Sequence, residues 1–203
     1  LTKIEADKAW DMQRGSSKVL VAIVDTGIDW NHPDLTANYV PLGYDWVNHD
    51  YDPMDDNGHG THVAGIIAAV INNGIGVAGV SQVKIMAEKG LNQTGYGTEV
   101  NLAKAIIDAV DKGAKIINMS WGDYTTSPLI QRAVTYAYNA GVLLIAAAGN
   151  DRTSQRLYPA AYSQVVAVSA TDQFDNLAYF SNYGYWIELA APGVSIFSTL
   201  PNA

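Results

Sequence analysis

The chain has 203 residues, 48% hydrophobic and 16% charged, and no cysteine. That length and balance suit one compact domain, and the missing thiols exclude disulfides, thiolate metal centres and a cysteine nucleophile. Twelve basic against twenty acidic side chains leave a net charge of −8, which argues against a nucleic-acid backbone or an anionic membrane as partner, since both need a basic face, and suggests cations instead.

The acidity is local, with eleven acids and four bases in the first 60 residues. No apolar run approaches the roughly 18 residues that a membrane span needs. The chain opens on Leu1-Thr2-Lys3-Ile4 with neither an initiating Met nor a signal pattern, as expected of a processed or trimmed chain.

In chain order, an uninterrupted β-branched run at residues 19–24, stopped by Asp25-Thr26-Gly27, predicts a strand buried on both faces of a parallel sheet. The same pattern recurs at residues 83–87, 116–119, 142–148 and 165–169. Helix-period segments lie between them at 61–71, 98–112 and 127–140. In the second, Val100, Ala103, Ile106, Ile107 and Val110 share one face, with Thr98 as N-cap and Gly113 past the end. The third opens on Ser127-Pro128 and ends before Gly141. Residues 38–57 and 151–164 are rich in Asp, Asn, Tyr and Pro and read as loops; Ala190-Ala191-Pro192-Gly193 and an extended piece at 195–200 come last. Strands alternating with helices predict βαβ units and an α/β sheet covered on both faces. Functional groups of such sheets gather at the carboxyl ends of the strands. Here those ends carry Asp25, Ser120-Trp121-Gly122 and Gly149-Asn150.

Taken singly, these groups are ambiguous. Asp-Thr-Gly is a common strand-ending turn. His59 lies in Asp56-Asn57-Gly58-His59-Gly60-Thr61-His62-Val63-Ala64-Gly65, where a helix starts and flanking glycines permit close approach of another chain. A histidine acts as a general base once a carboxylate fixes its tautomer. His59 and His62 as a metal pair would lack an intervening acid and a third ligand. Asn150 follows Ala146-Ala147-Ala148-Gly149, where an amide can meet a developing oxyanion, although Gly-Asn after a strand is usually a turn.

In combination the segments Asp25-Thr26-Gly27-Ile28-Asp29, His32-Pro33-Asp34-Leu35, His59 to Gly65 and Ala146 to Asn150 resemble the subtilisin-like serine proteases, nearest the thermitase-like branch, and the resemblance runs from about residue 4 to 201. It implies a three-layer subtilisin-like fold with a mostly parallel central sheet. Asp25 would be the triad carboxylate, His59 the general base and Asn150 the oxyanion donor. Gly95-Tyr96-Gly97 and Ser120-Trp121-Gly122 would be the two backbone edges that clamp an extended substrate as an added strand. Ala147, Ala148 and Gly149 would line one side of the main specificity pocket, expected to prefer an apolar or aromatic residue. The same resemblance implies a secreted endopeptidase cleaving extended polypeptides, with a prodomain or protein inhibitor as a further partner.

Five aspartates and no Lys or Arg lie between Asp45 and Asp56. Two carboxylates about 5 Å apart repel by roughly 3 kcal/mol at an effective dielectric near 20, so a folded loop of this kind needs a cation or full solvation. Asp45, Asn48, Asp50 and Asp52 have the alternating oxygen spacing that calcium accepts, and the resemblance puts a Ca2+ site there; a solvated acidic loop is the alternative. It also implies a second Ca2+ site at Asp34, with Asn73 and the carbonyls of Ile71, Ile75 and Val77. A third, weaker calcium or monovalent site would use the carbonyls of Ala160, Tyr162 and Val165.

In the family the nucleophile stands in a Gly-Thr-Ser-Met-Ala segment beyond an Ala-Pro-Gly strand. Ala191-Pro192-Gly193 is present, but no serine of the chain, Ser195 and Ser198 included, has that setting. The expectation is an incomplete peptidase catalytic domain over residues 1–203, inactive alone, whose complementary C-terminal segment carries the serine. A catalytically dead peptide-binding pseudoprotease and a calcium-dependent α/β binding protein are the competing readings.

Overall fold

The computed structural model describes residues 1–201. Seven strands form one sheet: β1 (Leu20–Asp25), β2 (Tyr44–Asp45), β3 (Lys84–Lys89), β4 (Ile116–Met119), β5 (Leu143–Ala147), β6 (Val165–Thr171) and β7 (Leu189–Pro192). Their order is β2-β3-β1-β4-β5-β6-β7, and every neighbouring pair is parallel. A turn of 3-10 helix, Thr2–Ile4, precedes α1 (Ala6–Met12); α2 (His59–Ala68), α3 (Glu99–Asp111) and α4 (Pro128–Asn139) are the other helices among the described residues.

Successive residues of a strand point to opposite faces, and β1 shows how both are covered. Val21 and Ile23 pack with Ala64 and Ala68 of α2, whereas Ala22 and Val24 join the core formed with α3 and α4. This three-layer α/β arrangement is the expected one, and it explains why the strands read as unbroken apolar runs. The caps of α3 and α4 also match the sequence reading. Thr98 Oγ1 accepts the Asn101 N–H at 3.1 Å and Ser127 Oγ accepts the Ile130 N–H at 3.3 Å, while Gly113 and Gly141 leave the helices at positive φ.

Three elements differ from expectation. Helix α1 was not signalled by the sequence, because only Ala6 of its residues is buried. Helix α2 begins at His59, two residues before the expected start, and ends at Ala68 rather than residue 71; Ala69 is extended and Gly79 packs against it so closely that a Cβ there would lie 2.4 Å from the Ala69 nitrogen. In the piece expected to be extended at 195–200, Ser195 takes a left-handed φ of 55°. Ser198 Oγ and Thr199 Oγ1 donate to the carbonyls of His62 and Thr61 in α2.

After β1 the chain builds β2 and β3 on one side of it and β4 to β7 on the other. The carboxyl end of β1 is therefore the topological switch point, where open parallel sheets form their ligand crevice. Asp25 is the last residue of that strand.

Candidate active site

Asp25 is fully buried, and its Oδ1 accepts the Thr26 N–H at 2.7 Å and contacts His59 Nδ1 at 2.7 Å. The ring itself is about half exposed. Asp25 Oδ2 has no hydrogen-bond partner among the described residues. The hydrogen bond to Asp25 holds the His59 imidazole above its usual pKa, partial burial opposes this, and the charges of Asp25 and Asp55 add to the rise. A buried carboxylate on Nδ1 leaves Nε2 as the nitrogen able to exchange a proton with a substrate or nucleophile.

The contact depends on how α2 is docked. Gly60 passes so close to the turn after β1 that a Cβ there would lie 2.0 Å from the Gly27 carbonyl oxygen, and its N–H donates to Thr26 Oγ1 at 2.9 Å. Beneath the turn, Asp55 does the work of an N-cap. Its Oδ1 accepts from the Asn57 and Gly58 N–H groups and the Thr26 hydroxyl, and its Oδ2 from the Thr61 N–H and hydroxyl. Burial alone would raise the Asp55 carboxyl, but the Thr61 hydroxyl and the N–H groups of Gly58, Thr61 and Asn57 outweigh it and hold the pKa below the usual range. Lys89, with a wholly buried side chain, joins the same two segments by donating from Nζ to the Thr26 carbonyl at 2.5 Å and to Asp56 Oδ1 at 2.6 Å.

Asn150 lies at the carboxyl end of β5, separated from β1 by β4. It is exposed, and its amide has no hydrogen-bond partner among the described residues. The turn that presents it is held by the buried Asn182, whose Nδ2 donates to the Ala148 carbonyl at 2.8 Å and whose Oδ1 accepts from Asp151 and Thr153. Gly149 has φ 102°, and a Cβ there would meet Asn182 Nδ2 at 2.5 Å. Asp55, Lys89 and Asn182 went unnoticed in the sequence. Only Asp55 carried a local signal, as an acid just ahead of a helix start.

The two peptide edges face each other across a groove. A cavity of about 280 Å3 is lined by Thr26, Asn57, His59, Leu91, Gly95, Ser120, Trp121 and Gly122. It continues through Leu91, Gly95, Trp121 and Gly122 into a second cavity of about 410 Å3 that Tyr96 and Gly97 also line. The Gly95–Gly97 edge is shaped by Asn92, whose Oδ1 accepts the N–H groups of Thr94 and Tyr96, and Asn57 Nδ2 ties it to the His59 segment through the Gln93 carbonyl. Trp121 Nε1 donates to the Val24 carbonyl at 3.0 Å, fixing the other edge to β1. The groove therefore gathers His59 with Gly95, Tyr96, Gly97, Ser120, Trp121 and Gly122. Ala147, Ala148 and Gly149 line neither of these cavities.

Among the cation candidates, Asp34 is fully buried. Its oxygens accept from Asn73 Nδ2 at 2.6 Å and the Val77 N–H at 2.8 Å, and among the described residues no basic side chain pairs with it. The 71–77 loop wraps the carboxylate so tightly that a Cβ on Gly76 would lie 2.1 Å from Oδ2. What a cation would find here is a buried carboxylate with no basic partner, its oxygens at present met by N–H donors. Asp45 is also buried without a basic partner, but its oxygens accept from the Val47 and Asn48 N–H groups and from Asn48 Nδ2. Asp50 accepts from the Asp52 N–H and Asp52 from Trp30 Nε1. Among the described residues no three His, Cys, Asp or Glu side chains converge as a metal cluster. Ala160 and Val165 are buried, and the Tyr162 carbonyl is taken by the Val165 N–H.

The profile of the subtilase family, peptidase S8, matches residues 16–203. The chain is 50% identical over 195 residues to a thermophilic serine proteinase of Bacillus sp. (strain AK1), an overlap of 96% of this chain and 48% of that protein. It is 46% identical over 202 residues to thermitase of Thermoactinomyces vulgaris, covering 99% and 72% of the two chains. To the minor extracellular protease Epr of Bacillus subtilis (strain 168) it is 42% identical over 204 residues, covering 100% of this chain and 31% of that protein. The chain thus spans about half the length of the first relative and less than a third of the last.

Proposed function

The chain belongs to the subtilase family, and from that premise we propose that it carries the acid and the base of a serine-type endopeptidase acting on extended polypeptides. The observation that carries this reading is the 2.7 Å contact between His59 Nδ1 and the buried Asp25, at the wall of a groove bounded by two peptide edges. In the proposed reaction a serine hydroxyl attacks the peptide carbonyl. His59 Nε2 takes its proton and later delivers it to the leaving amine, while Asp25 holds the ring and stabilises the imidazolium. Asn150 donates its amide to the oxyanion. The substrate lies as an added strand between Gly95–Gly97 and Ser120–Gly122. A prodomain or protein inhibitor would compete for the same groove.

The nucleophile is assigned to a complementary segment outside residues 1–203. Among the described residues no serine hydroxyl is hydrogen-bonded to the His59 ring. In a subtilisin, loss of the serine costs roughly a millionfold in turnover, so the chain alone should not turn over peptides. A fluorophosphonate probe tests this. No labelling of the chain is expected, together with labelling that depends on Asp25 and His59 in a polypeptide that includes the next segment. A labelled serine within residues 1–203 would overturn the assignment, and loss of the serine from that segment would turn the reading into a pseudoprotease.

Calcium belongs to the same proposal. Asp34 and Asn73, with the carbonyls of Ile71, Ile75 and Val77, would hold one ion, the group Asp45, Asn48, Asp50 and Asp52 a second, and the Ala160, Tyr162 and Val165 carbonyls a weaker one. Their part is to neutralise buried carboxylates and so stabilise the fold. Chelator should lower Tm, and Asp34→Asn should remove most of that response; an unchanged Tm would defeat the cation account. We also place the protein outside the cell, a reading supported by the name of the extracellular relative. Among the described residues no helix is long and apolar enough to cross a membrane.

A further inference from the structure

Farther along the groove from His59, the cavity of about 410 Å3 has an uneven chemistry. Its depth is apolar, formed by Leu91, Leu102, Ile130 and the rings of Trp121 and Tyr158. Two carboxylates, Glu99 and Asp123, also line it, and its described lining includes no Lys, Arg or His. An apolar hollow alone would take any aliphatic or aromatic side chain. The two acids change that preference, because both are fixed in place and neither is neutralised.

Glu99 opens α3, and its Oε2 accepts the Ser127 hydroxyl at 2.6 Å, the same hydroxyl that caps α4. The carboxylate is thereby held between two helix starts, and Oε1 has no hydrogen-bond partner among the described residues. Asp123 is held by its backbone, which exchanges hydrogen bonds of 2.9 and 2.8 Å with Tyr158, and by the Thr125 N–H on Oδ1 at 2.7 Å. Its Oδ2 has no partner among the described residues. Neither acid forms an ion pair there. Arg156 lines the adjoining cavity that Tyr158 also borders, and there its guanidinium bonds the Tyr185 hydroxyl at 2.5 Å and lies over that ring.

We propose that this cavity is a specificity subsite that takes a cationic side chain, arginine or lysine, of an extended polypeptide, with Glu99 and Asp123 as its determinants. The inference rests on the reading that the groove binds such polypeptides. A long aliphatic stem covers the apolar depth while the charged end reaches the rim, which is how Lys and Arg divide between apolar and polar surroundings. A guanidinium or ammonium then supplies the N–H donors that the free oxygens of Glu99 and Asp123 lack. An acidic side chain in the same place would meet two like charges.

Fluorescein-labelled hexapeptides, identical except for one position carrying arginine, lysine, citrulline, norleucine or glutamate, would be titrated against the chain by anisotropy at low salt, with that position moved along the peptide. At one position arginine and lysine should bind about tenfold tighter than citrulline or norleucine, and glutamate weakest, since hydrogen bonds between charged groups are stronger than those between neutral ones. Glu99→Gln should remove most of the preference, Asp123→Asn part of it, with norleucine binding unchanged and the folded state verified by circular dichroism. Peptides that bind without regard to charge at every position would overturn the subsite and leave the groove reading standing. So would a preference that survives both substitutions. Failure of every peptide to bind would overturn the groove reading, and the subsite with it.

Discussion

Asp25 raises the proton affinity of His59 chiefly through the 2.7 Å hydrogen bond, against the opposing effect of burial. A ring that must accept a proton works only when neutral, so the proposed reaction should begin at a pH above the usual imidazole value of about 6.5. The sign for stability follows from the same shift. A raised folded-state pKa gives a contribution fully present below the unfolded value and lost as pH rises through the folded one. An NMR titration should place His59 above ordinary histidines, and Asp25→Asn should bring it down to the ordinary value or lower. An unchanged value in that variant would show that the hydrogen bond is not the cause. The motifs around Asp25, His59 and Asn150 were legible in the sequence as the ends of apolar runs and the start of a helix, and the structure joins Asp25 to His59 while Asn150 stands at the end of β5. Lys89 and Asn182 were not, because what they do arises from contacts 63 and 34 residues away in the chain, at the Thr26 and Ala148 carbonyls.

Helix α2 shows how an element's docking sets a side chain's chemistry. The carbonyl of Gly27 occupies the space that any side chain at position 60 would need, at 2.0 Å from an ideal Cβ. Gly60→Ala therefore forces backbone apart rather than a flexible side chain, and overpacking of this kind costs roughly 1–3 kcal/mol. The first turn of α2 would move away from β1, so urea unfolding should show that loss, and the His59 pKa should fall toward the ordinary value in the same variant. A Gly60→Ala protein with wild-type stability and an unaltered His59 titration would show that the close approach does not position the base. The elements buried on two faces were readable, since β1, β3 to β6, α3 and α4 carry an apolar run or stripe. Strand β2 was not read from the sequence, and β7 entered only through the Ala-Pro-Gly strand that the resemblance implied. One has two residues inside an acidic stretch, and the other is mostly exposed along its length, so neither leaves a periodic signal.

Across the whole molecule, the eleven acids of the first 60 residues divide between surface and interior, six exposed and five buried. Asp25, Asp29, Asp34, Asp45 and Asp55 are all buried, and each accepts at least one backbone N–H, from Thr26, Asn31, Val77, Val47 and Asn57 respectively. Charge counting found the segment; only the fold distinguished wired carboxylates from solvated ones. Asp55, held below its usual pKa, contributes stability that is present above the unfolded carboxylate range and lost as pH falls through the folded value. Glu88 acts at the other end of the pH scale. It lies on β3, between β1 and the short edge strand β2, with no exposed surface; Trp46 Nε1 donates to its Oε2 at 2.8 Å, and Oε1 has no hydrogen-bond partner among the described residues. Burial pushes its carboxyl up to about 9; the Trp46 bond and the Lys112 ammonium 3.7 Å away oppose the rise, while Asp108 adds to it. The native state thus keeps a proton that the unfolded chain releases near its ordinary value of 4.5. The stability tied to that proton is complete below that value and drains away as pH climbs toward 9, a loss on the order of 5 kcal/mol. Glu88→Gln keeps an oxygen for Trp46 and has no proton to lose. Chemical denaturation at intervals from pH 5 to 9 should therefore show the wild-type chain weakening much more steeply than the variant. Parallel slopes for the two proteins would mean that Glu88 is already ionised at neutral pH and that Lys112 compensates it, and the alkaline sensitivity would then have to come from His59.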